Sequence, residues 1–346
     1  MQDSSLDPNN AIDFFSLHPN QLAEQVGGSG RAKEIWALLR DVKTPLTSER
    51  LSAQLKKLLA NRFQLVPGVQ DAKEISADGT RKLRVKLTDG CLVETVIIPN
   101  DKRTTVCIST QVGCARGCRF CATGQMGLTR HLSTGEIVYQ INLAQQELKA
   151  ASLAPVSNVV LMGMGEPLDN FDAVQQAIAI ISHPHGWRLA PRRITLSTIG
   201  PSPRAIGRLK TLNCNLAWSL HAADDEVRRR LIPTTRHHNV DLREAFVDVL
   251  QSRRSLLLVE MIMIKQINDR PSDIDLLMEF WAAHKKRIRI NILPFNQGPK
   301  PAPENLAPCP PERMAAIRKQ LQSAGFFCEN RRPRGLDIQA ACGQLC

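Results

Sequence analysis

Six short apolar runs, separated by stretches of helical period, occupy the chain from about residue 104 onward. The runs are TVCIST, NVVLMG, RRITLST, NLAWSLH, LLLVEMIMI and RIRINIL. Between them, TGEIVYQINLAQQELKA, NFDAVQQAIAII, SPRAIGRLKTL, VDLREAFVDVLQS and SDIDLLMEFWAAHKK place apolar residues three and four apart. Strands this uniformly apolar need cover on both faces, and helices between successive strands supply it through crossover connections. The alternation predicts an α/β fold whose parallel sheet curves into a partial (β/α)6 barrel resembling part of a TIM barrel. A doubly wound open sheet is the structural alternative, but its GxGxxG fingerprint after the first strand is absent.

Upstream the period changes twice. FFSLHPNQLAEQV, GRAKEIWALLRDV and SERLSAQLKKLLANRF read as short helices of a small N-terminal module ending near Val66-Pro67-Gly68. RKLRVKLTDGCLVETVIIP then alternates around Asp89-Gly90, which predicts a β-hairpin of two strands. Residues 1–10 read as a disordered leader, and PRGLDIQAACGQLC as a tail without periodicity. The expected organisation is a helical accessory module over 1–66, hairpin and linker over 67–103, barrel over 104–330 and tail over 331–346. Chain ends fray unless docked, so the tail's order depends on what holds it. No apolar run reaches the ~18 residues of a membrane span. The polar start lacks a secretory pattern, so the expected compartment is the cytoplasm.

Charge points to a partner. Lys plus Arg number 45 against 33 Asp plus Glu, a net charge of +12 that favours a polyanion, nucleic acid first. With a single Tyr, a broad base-stacking platform is not favoured. Arg192-Arg193, Arg228-Arg229-Arg230 with Arg236, and Arg331-Arg332 with Arg334 are candidate phosphate contacts, set against the plainer reading of solvated faces.

Of ten cysteines, three fall within eight residues, as Cys114-x3-Cys118-x2-Cys121. In a reducing compartment clustered thiols signal metal or catalysis rather than disulfides. The cluster follows the first parallel strand, at the end where barrels carry their active sites. Three thiolates on one loop can hold three irons of a 4Fe-4S cluster and leave the fourth open to an external ligand. The alternative is a structural zinc completed by His131 or a distant Cys. Taken alone, Cys107 reads as a buried core thiol and Cys342 as an inert tail thiol. Glu94 alone reads as a solvent-facing residue of an alternating strand.

The cysteine spacing resembles the radical S-adenosylmethionine (SAM) superfamily. CRFCATGQMG, VLMGMGEPLDN, RRITLSTIG, SLHAADDEVRRRLIP, LPFN and DIQAACGQL follow in that order, and together they resemble the RlmN/Cfr family of RNA methyltransferases. Members methylate adenine at carbon 2 or carbon 8; CATGQMG and GEPLDN look more like the carbon-2 branch. That resemblance implies one 4Fe-4S cluster on Cys114, Cys118 and Cys121, and two SAM molecules per turnover. It implies SAM contacts at Gly165, Glu166, Ser197, Ser219, Leu220, His221 and Asn296. Cys342 would carry the methyl group, Glu94 would accept the ring proton, and Cys107 would close a transient disulfide with Cys342. The implied substrate is RNA: adenosine 2503 of 23S rRNA and, in some members, adenosine 37 of tRNA. An electron donor such as flavodoxin or ferredoxin is implied, and no membrane. Cys91, Cys214, Cys309, Cys328 and Cys346 match no role and read as structural. The alternatives are carbon-8 methylation, a radical SAM enzyme acting on protein, and a zinc-stabilised RNA-binding protein without catalysis.

Overall fold

The computed structural model describes residues 11–253, 255–300, 302 and 306–346. The leader expected over residues 1–10 lies outside the described residues. Strands β1 (Ile12–Asp13) and β2 (Phe63–Gln64) pair in parallel and bracket helices α1 (Pro19–Val26), α2 (Ser29–Arg40) and α3 (Ala53–Arg62). Ser52 caps α3 by accepting from the Leu55 amide at 3.2 Å. Phe14, Phe15, Trp36 and Phe63 form the buried centre of this part. Phe15 also sets its ring edge-on to Tyr139 at 5.0 Å, which docks the helices onto the rest of the molecule.

Instead of a simple hairpin, β3 (Gly68–Ile75), β4 (Arg81–Leu87) and β5 (Leu92–Asn100) form an antiparallel meander. Strand β3 is mostly exposed and charged, as edge strands are, and so lacks the apolar alternation by which β4 and β5 were legible. The meander continues into β6 (Arg103–Cys107), antiparallel to β5.

A second small hairpin follows: β7 (Gln111–Cys114), the short helix α4 (Ala122–Met126) and β8 (Gly127–His131). Helix α5 (Thr134–Ala150) starts in a capping box of Ser133 and Glu136. The chain then alternates through β9 (Val156–Leu161), α6 (Phe171–Ser182), β10 (Ile194–Thr198), α7 (Pro203–Gly207) and β11 (Asn215–Ser219). It ends with α8 (Asp225–Leu231), α9 (Asn239–Arg253), β12 (Leu257–Met263), α10 (Pro271–Trp281), β13 (Ile288–Pro294), α11 (Pro311–Ser323) and β14 (Cys328–Asn330).

One ten-stranded sheet, ordered β14-β13-β12-β11-β10-β9-β6-β5-β4-β3, runs through the molecule. The six expected parallel strands stand side by side in it, β6 next to β9 and so on to β13. The three-residue β14 adds a seventh; its sequence, CEN, carries no apolar run to announce it. The sheet is open: among the described residues no ladder joins β14 to β3. Trp218 on β11 stacks on Phe246 at 4.9 Å and meets Trp281 edge-on at 5.8 Å, tying sheet to helices. No helix among the described residues is long and apolar enough to cross a membrane.

Candidate active site

The C-terminal ends of the parallel strands surround a cleft. Cys114 closes β7, Cys118 follows in the loop, and Cys121 is the residue before α4; all three line this cleft. Burial pushes the Cys114 thiol up to about 12 and the Cys118 thiol well above the usual thiol range; Cys121 is raised for the same reason. Buried thiols with such a reluctance to ionise become thiolates when a cationic centre replaces their protons. Arg116, between the first two cysteines, is anchored by Asp169, Nε to Oδ2 at 2.7 Å. The Phe120 ring rests edge-on against His221 at 4.5 Å.

Opposite the cysteines lies the loop after β9. Gly165 has φ +101°, and a Cβ there would fall 2.6 Å from the Gln111 side chain, so only glycine fits. The Glu166 carboxylate accepts from Thr198 Oγ1 at 2.6 Å, the Leu168 amide at 2.9 Å and the Ile199 amide at 3.0 Å. Burial nonetheless pushes it up to about 7. Ser197 Oγ and Ser219 Oγ lie 3.1 Å apart on the facing strand ends. His221 has φ +63°, and its Nδ1 accepts from the Ile262 amide at 3.1 Å. Burial, with Arg228 adding to it, pushes its pKa down to about 3, so the ring is neutral.

Of the seven residues expected at SAM, Gly165, Glu166, Ser197, Ser219 and His221 line this cleft. Leu220 is fully buried, and its amide donates to the Glu260 carbonyl at 3.2 Å. Asn296 lines a second cavity and donates from Nδ2 to the Cys342 carbonyl at 3.2 Å.

That second cavity adjoins the first, sharing Cys121, Thr123, Arg331 and Cys342 among its walls. Cys107 lines it from the end of β6. Burial, with the facing Cys342 adding to it, pushes the Cys107 thiol up to about 12. Cys342 thus stands where the two cavities meet, and Cys107 faces it from the far one.

The tail that carries Cys342 is docked. The Ala122 amide donates to the Gly343 carbonyl at 2.7 Å, and Thr123 Oγ1 donates to the Leu345 carbonyl at 2.6 Å. Gln344 Nε2 donates to the Gln297 carbonyl at 2.8 Å, and the Cys346 amide to Glu94 Oε2 at 3.0 Å. Gly343 has φ +89°, and a Cβ there would lie 2.9 Å from the Phe120 carbonyl, so the tail lies directly on the cysteine loop.

Several sequence expectations change here. Glu94 is not solvent-facing: it is 4 % exposed and paired with Lys82 at 3.2 Å. The reason is that β5 has neighbours on both sides in the sheet and the tail over it. Arg228 is no phosphate contact; it is fully buried, donating from Nε to the Leu220 carbonyl at 3.1 Å. Arg331 and Arg334 stay partly exposed, each with an acidic partner. Arg331 pairs with Glu260 at 3.7 Å, and Arg334 donates from Nε to Asp78 at 2.9 Å. Burial works against the Arg331 charge, but Cys342, Glu260 and Cys107 outweigh it and hold the guanidinium protonated. His131, the suggested zinc ligand, contacts Gln111 at 2.9 Å and lines neither cavity.

Glu260 was missed. It lines the cleft from β12, accepts from Asn291 Nδ2 at 2.8 Å, and burial raises its pKa. The signal was available: a carboxylate inside the apolar run LLLVEMIMI has to be answering to something buried.

Among the described residues no three His, Cys, Asp or Glu side chains gather into a group that could hold a single metal ion. The three thiols rim a cleft, and soft thiolates are the donors that iron–sulfur clusters take.

A curved parallel sheet with a three-cysteine loop and a glycine-walled cleft at its strand ends is the build of a radical SAM enzyme, and residues 108–280 match the model of the Radical SAM superfamily. A dual-specificity RNA methyltransferase RlmN from Syntrophotalea carbinolica is 39% identical over 351 residues, covering 99% of this chain and 92% of that one. A probable RNA methyltransferase from Sorangium cellulosum is 40% identical over 281 residues, covering 81% and 69%. The crystal structure of a radical SAM methyltransferase from Sphaerobacter thermophilus superposes with a TM-score of 0.89 at 33% identity, covering 96% of this chain and 99% of that one. The chain belongs to the RlmN/Cfr family. Its cofactors are accordingly a 4Fe-4S cluster and SAM.

Proposed function

We propose that this radical SAM RNA methyltransferase methylates carbon 2 of adenosine, with adenosine 2503 of 23S rRNA and adenosine 37 of tRNA as its targets. The observation that carries the reading is the position of Cys342, which lines the cysteine-rimmed cleft and the cavity of Cys107 at once. Carbon 2 of adenine is an electron-poor sp2 carbon that cannot attack a sulfonium methyl, so the methyl group must come to it as a carbon radical. A thiol that reaches both sites can take up the group on one side and deliver it on the other.

When bound, the cluster and SAM supply the methyl group and the 5′-deoxyadenosyl radical. Cys114, Cys118 and Cys121 hold the cluster; Gly165, Glu166, Ser197, Ser219, Leu220, His221 and Asn296 form the SAM site, Leu220 and Asn296 from behind its wall. Cys342 accepts the methyl group on sulfur, yields one of its hydrogens, and joins the resulting carbon to the adenine ring. Glu94 takes the ring proton. The adduct would return its unpaired electron to the redox centre that supplied it; the Cys107 thiolate then attacks the Cys342 sulfur, the S–S bond forms, the S–C bond breaks with its electron pair on carbon, that carbon takes a proton to become the methyl group, and methylated RNA leaves. The disulfide is reduced before the next turnover. Arg331 is the cation on both cavities that favours the attacking thiolate.

In this reading residues 1–66 are an RNA-binding accessory module, 67–103 present Glu94, 104–330 form the catalytic core and 331–346 the carrier tail. The enzyme works in the cytoplasm, with an electron donor of the flavodoxin or ferredoxin kind. The test supplies reconstituted enzyme with SAM bearing a trideuterated methyl group and unmodified rRNA or tRNA. 2-Methyladenosine with two deuteriums retained is the expected product. 8-Methyladenosine would move the chain to the other branch, and three retained deuteriums would overturn the route through Cys342.

A further inference from the structure

Glu94 stands at the end of a row of three charges that crosses the antiparallel part of the sheet. Glu74 on β3 is the direct cross-strand partner of Lys82 on β4. The Lys82 ammonium reaches Glu74 Oε1 at 3.1 Å and Glu94 Oε1 at 3.2 Å. The side chains of Lys82 and Glu94 are 9% and 6% exposed, and that of Glu74 is 53% exposed, so the row runs from the interior to solvent. Placing an ammonium at such depth costs desolvation, which only well-placed partners offset. The second Glu94 oxygen takes the Cys346 amide at 3.0 Å, so both carboxylate oxygens are fixed in direction. Residues two apart on a strand share a face, and Val96, two residues on, is a wall of the Cys107 cavity. The charged and titratable groups facing Glu94 are Lys82 from β4, Glu74 from β3 and the Cys346 thiol from the tail, with Lys300 beside that thiol.

We propose that Lys82 is a positioning residue for proton removal: its ammonium keeps Glu94 ionised and oriented, and Glu74 tempers that hold from the surface. The inference rests on the reading of Glu94 as proton acceptor. A carboxylate accepts a proton only while it is charged. Burial drives Glu94 towards the neutral form, and Lys82 is the cation that opposes burial. Glu74 acts on Glu94 in the opposite sense to Lys82, as a like charge must.

The experiment follows single-turnover release of methylated RNA by reconstituted holoenzyme between pH 6 and 9 for wild type, Lys82→Met, Lys82→Arg, Glu74→Gln and Glu94→Gln. Lys82→Met is expected to move the acid limb of the profile up by about one pH unit or more, the usual effect of losing an opposite charge at this range. On the acid side of that limb its rate then falls about tenfold, and it recovers towards pH 9. Lys82→Arg keeps the limb in place, and Glu74→Gln moves it slightly down. A structural role alone would lower rates evenly across pH. Should Lys82→Met fail to fold, Lys82→Gln carries the same test. An unmoved limb in Lys82→Met or Lys82→Gln, with Glu94→Gln inactive, overturns the inference and leaves the acceptor standing. Full activity of Glu94→Gln at every pH removes the acceptor itself.

Discussion

The two cavities share walls but are built differently. The cysteine-rimmed cleft is framed by strand ends, and its polar groups are locked by the sheet: Glu166 is held by three donors from two elements. The second cavity owes one wall to a tail that is neither helix nor strand at Cys342 and is kept down by a few backbone and side-chain bonds. A site that generates a radical gains from rigid walls, because stray motion lets the radical react with the wrong atom. The thiol that meets both cavities is instead carried on a segment outside the regular elements, held by side-chain and single backbone bonds. Under the proposed mechanism, this difference would let one chain separate the making of a reactive species from its delivery.

The sharpest way to break this division is to remove one thiol from each side. Cys114→Ala is expected to abolish both SAM cleavage and RNA methylation. Cys342→Ala is expected to lower methylation by ~10³-fold or more while SAM cleavage persists. Equal loss of both activities in Cys342→Ala would merge the two halves. Next comes the cost of the rigid side. Glu166 is raised in the folded state from 4.5 to about 7, so the cofactor-free protein binds its proton more tightly than the unfolded chain does. That contribution to stability is full below about pH 4.5 and is lost as pH rises through 7. Thermal melts of the cofactor-free protein should therefore lose a few kcal/mol over this window, and Glu166→Gln should flatten the slope.

On the looser side, Thr123→Val removes the hydroxyl that holds the Leu345 carbonyl, at a cost of about 1 kcal/mol. Methylation should fall severalfold and more than SAM cleavage does; parallel losses would show that the hydroxyl serves the first cavity as much as the tail. Arg334→Ala should have the smallest effect. Its pair with Asp78 is partly exposed, so urea unfolding should register about 1 kcal/mol or less.

The rigid side was also the legible one. Cys114, Cys118 and Cys121 lie close in sequence because one loop must hold them, and the parallel strands announced themselves as apolar runs. Cys107 and Cys342 had no such signal: their pairing exists only in the folded chain, across more than two hundred residues, and their roles came from motif resemblance alone. Glu94 was misread by its own strand, since alternation predicts a free face and says nothing of a tail lying over it. Arg228 was misread by its neighbours in sequence, because a run of three arginines on a seven-residue helix turns one of them inward. Strand β3 was missed because an exposed edge is written in charges.

Segment 334–337 joins distant parts of the chain. Arg334 and the Gly335 amide bond to Asp78, 2.9 and 3.0 Å, and the Asp337 carboxylate accepts from the Ala77 amide at 3.1 Å. With Ser76, which donates to the same Asp337 carboxylate, the partners lie 256 to 261 residues apart and close very long loops. Loop-closure cost rises with length, and a formed sheet shortens the path that must be closed. The same clasp ties the approach of the tail to the meander, so on refolding, methyl transfer is expected to return no earlier than the sheet and its cysteine loop.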